Sequence, residues 1–175
     1  MKYFYDTEFL EDGRTIELIS IGIVAEDGRE LYLINRDAPW GRIQKDPWLM
    51  ENVVSQLPKA YGDWRNHVPK SWPFDLNQAE NRTLIACLVR EFLAGPDVEL
   101  WADYAAYDHV VLAQLWGKMI NLPDGVPMFT NDLQQAWRAA GRPELPEQTA
   151  GAHNALEDAR HLKRCFEALQ MKRGR

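Results

Sequence analysis

Three short stretches of this 175-residue chain carry side chains that can do chemistry together. Asp6-Thr7-Glu8 sets two carboxylates two residues apart in a run of β-favouring residues, and on a strand such a pair shares a face. Carboxylates held side by side repel, so the proton affinity of one rises unless a cation compensates. An oxygen-coordinated divalent ion is the natural compensation, although a lone Asp-x-Glu is also what a solvated strand end looks like. His153-Asn154-Ala155-Leu156-Glu157-Asp158 reads as a helix start, with Asn154 as N-cap and Glu157 completing a capping box. His153 then precedes the cap and Asp158 is the fourth helical residue. These two positions meet in space, whereas the same gap inside a continuous helix splays them by roughly 140°. Asp108 opens a helix that follows a strand, where a first-turn Asp also suits the helix dipole, and Asp103 at the end of that strand competes with it.

The elements that must position these groups are legible in outline. Lys2 to Glu8, Thr15 to Ala25 and Arg29 to Asn35 read as three strands joined at Asp12-Gly13 and Asp27-Gly28, turn dipeptides that tolerate positive φ. Residues 37–75 are irregular, with Pro39, Pro47, Pro58, Pro69 and Pro73 among Trp40, Trp48, Trp64 and Trp72; a short helix over Pro47 to Gln56 is expected. Most of these tryptophans are expected to pack the segment onto the sheet. Beyond it, helices are predicted at Gln78 to Leu93, with Leu84, Ile85, Leu88 and Phe92 on one face, at Tyr107 to Met119, at Leu133 to Ala140 and at Ala155 to Met171. They alternate with strands at Val98 to Ala102 and Pro127 to Thr130. The last helix carries Ala155, Ala159, Leu162, Phe166 and Leu169 along one stripe. This order predicts a single α/β domain over residues 1–175, built on a mixed five-stranded sheet covered by helices.

Composition narrows the function. Hydrophobic residues make up 46% and charged residues 26%, which fits a globular domain and excludes a disordered chain. Two cysteines, Cys87 and Cys165, fit packed helix positions in a reducing cytosol. The longest apolar stretch, Leu18 to Ala25, is far below the roughly 20 residues of a membrane helix, and no secretory signal is expected. Net charge is −6, which disfavours a passive nucleic-acid binder. It leaves room for an enzyme whose carboxylates hold divalent cations against a phosphate-bearing substrate.

Taken in order, Asp6-x-Glu8, Tyr107-Asp108 and His153-x-x-x-x-Asp158 resemble the exonucleases named for four acids and a histidine, the DEDDh class, and the likeness runs through nearly the whole chain. Within it, Tyr3-Phe4-Tyr5-Asp6-Thr7-Glu8-Phe9, Thr15 to Gly22, Leu100-Trp101-Ala102 and Ala106-Tyr107-Asp108-His109 resemble the mycobacterial polyadenylate-specific exoribonucleases. Oligoribonucleases differ, carrying Met-Thr-Gly-Leu where this chain has Phe9-Leu10-Glu11-Asp12. The resemblance implies a ribonuclease H-like fold, favours Asp108 over Asp103, and implies two Mg2+ or Mn2+ ions held by Asp6, Glu8, Asp108 and Asp158. Such ions, about 3.5–4 Å apart, stabilise the attacking and leaving oxygens. His153 is implied as general base, the 3′ ends of single-stranded RNA, adenylate-rich ends included, as substrate, and a homodimer as the working state; the cytoplasmic expectation rests on the cysteine usage. Thr7, Phe9 and Leu10 are candidate substrate contacts, Phe9 by stacking on a base. His109 and His161 read as helix-surface residues. Two other readings stay open: a single-stranded DNA exonuclease of the proofreading type, and a non-catalytic RNA-binding module on the same fold.

Overall fold

The computed structural model describes residues 1–58 and 79–173. Trp64, Trp72, Pro69, Pro73 and the predicted helix start at Gln78 lie outside the described residues. Strands β1 (Lys2–Glu11), β2 (Ile16–Ala25) and β3 (Glu30–Ile34) form an antiparallel meander. Both turns use the expected dipeptides. Gly28 takes φ +91° and donates its N–H to Ala25 at 3.0 Å, while the Asp12 carboxylate accepts the N–H groups of Arg14 and Thr15.

The chain continues through helices α1 (Trp40–Ile43), α2 (Pro47–Asn52), a 3-10 turn (Val54–Gln56), α3 (Arg82–Phe92), strand β4 (Glu99–Ala102), α4 (Ala106–Ala113), strand β5 (Asn131–Asp132), α5 (Leu133–Ala139) and α6 (Ala155–Arg173). The sheet order is β3-β2-β1-β4-β5, with β1 and β4, and β4 and β5, parallel. This is the five-stranded mixed sheet the element order predicts. Several bounds differ. The last strand lies at Asn131–Asp132 rather than Pro127 to Thr130, because β5 pairs only where Trp101 and Ala102 offer partners. The helix predicted from Tyr107 to Met119 ends at Ala113 and tightens into a 3-10 turn, leaving Met119 exposed. The buried face of α3 is Ile85, Ala86 and Val89, which leaves Leu84 and Cys87 exposed.

Both faces of β1 are buried, by different helices. Tyr3 and Tyr5 pack with Ile85, Val89 and Leu93 and with Val111 and Leu112 of α4. Phe4 points the other way, onto Leu162, Phe166 and Leu169 of α6. Residues 38–57, expected to be largely irregular, build a third cluster in which Trp40, Ile43, Leu49, Val53, Val54 and Leu57 cover Leu10, Ile19 and Ile34. The predicted stripe of α6 is buried throughout, from Ala155 to Leu169.

Two details place the functional groups. β1 pairs with β4 only from Lys2 to Phe4 but with β2 as far as Glu11, so among the described residues no strand covers the β1 edge from Asp6 to Phe9. Gly22, opposite Asp6 on β2, has no side chain where α6 begins; a Cβ there would lie 2.3 Å from the Leu156 nitrogen and 2.4 Å from the Ala155 carbonyl. The helix start therefore rests on the sheet backbone beside Asp6.

Candidate metal centre and active-site cleft

Where β1 outruns β4 a cleft of about 410 Å³ opens, lined by Asp6, Thr7, Glu8, Phe9, Asp108, His153 and Asp158. Seven of the eight site residues expected from sequence thus meet in one place. The eighth, Leu10, does not. It follows Glu8 on the same face of β1, but α1 and α2 close over that end of the strand and bury it to 6% exposure.

Asp6 and Glu8 share a face, as their spacing requires, and α6 brings Asp158 to them. One oxygen from each of the three lies within 4.8 Å of the others. Among the described residues no hydrogen-bond donor reaches Asp6 or Glu8. Burial, reinforced by the carboxylates of Asp158 and Asp108, pushes Glu8 up to about 8. Burial first, then Asp108, Glu8, Asp158 and Asp103, raises Asp6 well above the usual carboxylate range. Three converging carboxylates, two of them with no donor, form an all-oxygen set suited to a hard divalent cation such as Mg2+ or Mn2+. The chemistry of the donor set fits.

Asp108 enters from α4, on the opposite face of β1. Thr7 points to that face and holds the carboxylate, its N–H donating at 2.9 Å and its hydroxyl at 2.6 Å to Oδ1. Burial nevertheless pushes Asp108 up to about 6, against both Thr7 bonds. Thr7, expected to touch substrate, is itself buried and orients this acid. Asp103, the rival candidate, also lines the cleft and accepts Gln134 Nε2 at 2.8 Å. The structure brings both acids to the site.

The α6 start explains Asp158 and His153. Asn154 caps the helix, its Oδ1 accepting the N–H groups of Leu156 at 3.1 Å and Glu157 at 3.2 Å. The reciprocal half of the expected capping box is missing, because the Glu157 carboxylate takes Arg160 instead. The Asn154 N–H closes a turn onto the Gly151 carbonyl at 3.1 Å, with His153 third in the turn at φ +64°. That region favours glycine or asparagine, and a histidine there is strained by about 1–2 kcal/mol. Strain of this kind collects at functional positions. The predicted meeting of His153 and Asp158 occurs through the backbone: His153 N–H donates to Asp158 Oδ2 at 2.9 Å while Gln148 donates to Oδ1 at 2.6 Å. Burial raises Asp158 in spite of these two donors.

Aromatic rings rim the cleft. Phe9 stacks on Tyr107, centroids 6.0 Å apart and planes 9° from parallel. Tyr104, Tyr107 and Trp48 are 66%, 57% and 53% exposed. Tyr104, Trp48 and Gln148 escape the sequence reading. Trp48 carries a weak signal as the residue after a helix-opening proline, whereas the others sit in loops with no periodicity. His109, expected at the helix surface, is half-buried with Nδ1 3.0 Å from the Thr130 hydroxyl. His161 is also half-buried, and Cys165 is buried beside it.

Set against known proteins, no protein-family model matches the chain. Over 173 residues it is 44% identical to a 3′-5′ exoribonuclease of Mycobacterium tuberculosis, with the same figures for two strains, covering 97% of this chain and 93% of the relative. In fold it is similar to E. coli exonuclease I in complex with a dT13 oligonucleotide (TM-score 0.59, 14% identity, 98% of this chain and 40% of that one). A second exonuclease I structure gives a TM-score of 0.56 at 13% identity, covering 97% and 42% of the two chains. The chain therefore spans about two-fifths of exonuclease I, and the likeness carries the fold alone: a ribonuclease H-like sheet with flanking helices. No described helix is long and apolar enough to cross a membrane.

Proposed function

The chain belongs to the family of the mycobacterial 3′-5′ exoribonucleases, and from that premise we propose that it removes nucleoside 5′-monophosphates from the 3′ end of single-stranded RNA. The observation that carries the proposal is the convergence of Asp6, Glu8 and Asp158 within 4.8 Å at the floor of an open cleft. These three would hold one divalent cation, and Asp6 with Asp108 would serve a second. Such ions would supply charge to neutralise the scissile phosphate and to stabilise the attacking and leaving oxygens.

The chain's own residues supply the rest. His153, on the cleft wall, accepts the proton of the attacking water, a role open to neutral imidazole near pH 7. This reading makes the enzyme one of the DEDDh class. Thr7 fixes the Asp108 carboxylate through two hydrogen bonds. Phe9, Tyr104 and Tyr107 offer ring faces and edges to unpaired bases, where stacking is worth roughly 1–3 kcal/mol per base. Such contacts offset the scarcity of cationic side chains, since among the described residues no Lys or Arg lines this cleft. Preference for adenylate-rich ends and a homodimeric state rest on the family resemblance. A cytosolic setting rests on the two free cysteines.

The test uses 5′-labelled oligo(A), oligo(U), oligo(C) and single-stranded DNA with Mg2+ or Mn2+, and an Asp6→Ala control against contaminating nuclease. A metal-dependent ladder shortening from the 3′ end of RNA, fastest on oligo(A), is expected. Equal action on DNA would move the assignment to a DNA exonuclease, and no cleavage with retained RNA binding would make the chain a binding module. His153→Ala is expected to slow turnover greatly while leaving Mn2+ affinity nearly intact.

A further inference from the structure

We propose that the Pro/Trp-rich segment running from α2 through its 3-10 turn is a clamp that positions His153, with Trp48 as the positioning residue. The inference rests on the reading of His153 as the general base. His153 stands at φ +64° in a turn preceding α6, a conformation that an L side chain holds only when its surroundings enforce it. Within the turn, the Asn154 N–H bond to Gly151 fixes the backbone but leaves the imidazole free to rotate.

Two contacts from the same distant segment meet that corner. The Trp48 indole and the His153 imidazole form an edge-to-face pair, with centroids 5.0 Å apart and planes at 76°. Six residues after Trp48 the chain enters the 3-10 turn, whose Gln56 carbonyl accepts Asn154 Nδ2 at 3.2 Å. Asn154 is thus shared: its oxygen caps α6 and its amide nitrogen ties the cap to the segment.

The clamp is itself anchored. Asp46 caps α2 by accepting the Leu49 N–H at 3.0 Å, Pro47 fixes the first helical φ, and Leu49, Val53, Val54 and Leu57 are buried against the sheet. Trp48, by contrast, is 53% exposed and lines the cleft, so its indole contributes little to the core. A large aromatic left exposed on a helix that Leu49 anchors to the core, and set against the one histidine that lines the cleft among the described residues, is placed for orientation rather than for stability.

The experiment compares Trp48→Ala, Trp48→Phe and His153→Ala on an oligoribonucleotide, together with Mn2+ titration and the NMR signals of the His153 ring in the metal-free protein. In Trp48→Ala, kcat is expected to fall about tenfold, the population change an edge-to-face ring pair carries, with KM changed less than about twofold. Mn2+ affinity is expected to stay at the wild-type value, and the His153 ring signals to move and broaden. Trp48→Phe keeps a ring at the position and is expected to restore both kcat and the His153 signals. A rise in KM with kcat unchanged would overturn the proposal and make Trp48 a base-stacking contact. Unchanged kinetics with unchanged His153 signals would overturn it as well, as would a loss of Mn2+ affinity. If His153→Ala itself retains wild-type turnover, the general-base reading fails instead, a result distinct from a silent Trp48→Ala beside an inactive His153→Ala.

Discussion

Gly22→Ala isolates the packing that assembles the carboxylates without touching any of them. The new Cβ would lie 2.3 Å from the Leu156 nitrogen and 2.4 Å from the Ala155 carbonyl carbon and oxygen, where ordinary contact begins at 3.4 Å. All three are backbone atoms, so no rotamer change relieves the clash, and α6 must withdraw from β2 by about 1 Å. Asp158 rides on the first turn of that helix, while Asp6 lies directly opposite Gly22 on β1. The displacement therefore separates Asp158 from Asp6 and Glu8. Overpacking of this kind costs about 1–3 kcal/mol of stability, and a 1 Å misplacement of a reacting constellation costs about 100-fold in rate. Denaturant unfolding, Mn2+ titration and the rate of oligoribonucleotide shortening read the three consequences separately. Gly41→Ala, with nothing within 4 Å of its added Cβ, serves as control and keeps wild-type behaviour in all three. A Gly22→Ala protein with wild-type stability, Mn2+ affinity and rate would show that the close approach of α6 does not hold the site together.

Other consequences follow from the same residues. Glu8, held up near 8 by burial, binds a proton in the folded chain that it loses in the unfolded one between its ordinary range and about pH 8. Metal-free stability therefore falls as pH rises through that window, and Glu8→Gln is expected to raise the melting temperature at pH 8, each tenfold in proton affinity being worth about 1.4 kcal/mol. Mn2+ must displace that proton at pH 7, so calorimetric titrations in buffers of different ionisation enthalpy are expected to show proton release that diminishes above pH 8. Thr7→Val keeps the shape and the backbone donor but removes the 2.6 Å hydroxyl bond to Asp108. Loss of a hydrogen bond to a charged group, about 1.5–3 kcal/mol, predicts a fall in kcat of roughly 10- to 100-fold, measured on the same oligoribonucleotide.

Much of this arrangement is written locally. The Asp-Gly turns, the β-branched run of β2 and the apolar stripe of α6 each state their structure within a few residues, because turn geometry and period are local properties. The meeting of Asp6, Glu8 and Asp158 was legible because a strand spacing of two and a capped helix start fix where those side chains point. Contacts made across the chain were not. Leu10 looks as available as Phe9 until α1 and α2 are laid over it, and Trp48 looks like one more packing residue until its ring is found on His153. The face of α3 differs from its sequence pattern for a similar reason: Leu84 and Ile85 are adjacent apolar residues, and only docking on the sheet selects Ile85. Glu157 had the spacing of a capping box, but Arg160, one turn on, competes for its carboxylate.

Anomalous diffraction from a crystal soaked in Mn2+ tests the central claim most directly. A strong peak within coordination distance of Asp6, Glu8 and Asp158, lost in Asp6→Asn crystals, is the predicted result. An anomalous map with no peak between those three carboxylates, from crystals of active protein, would contradict it.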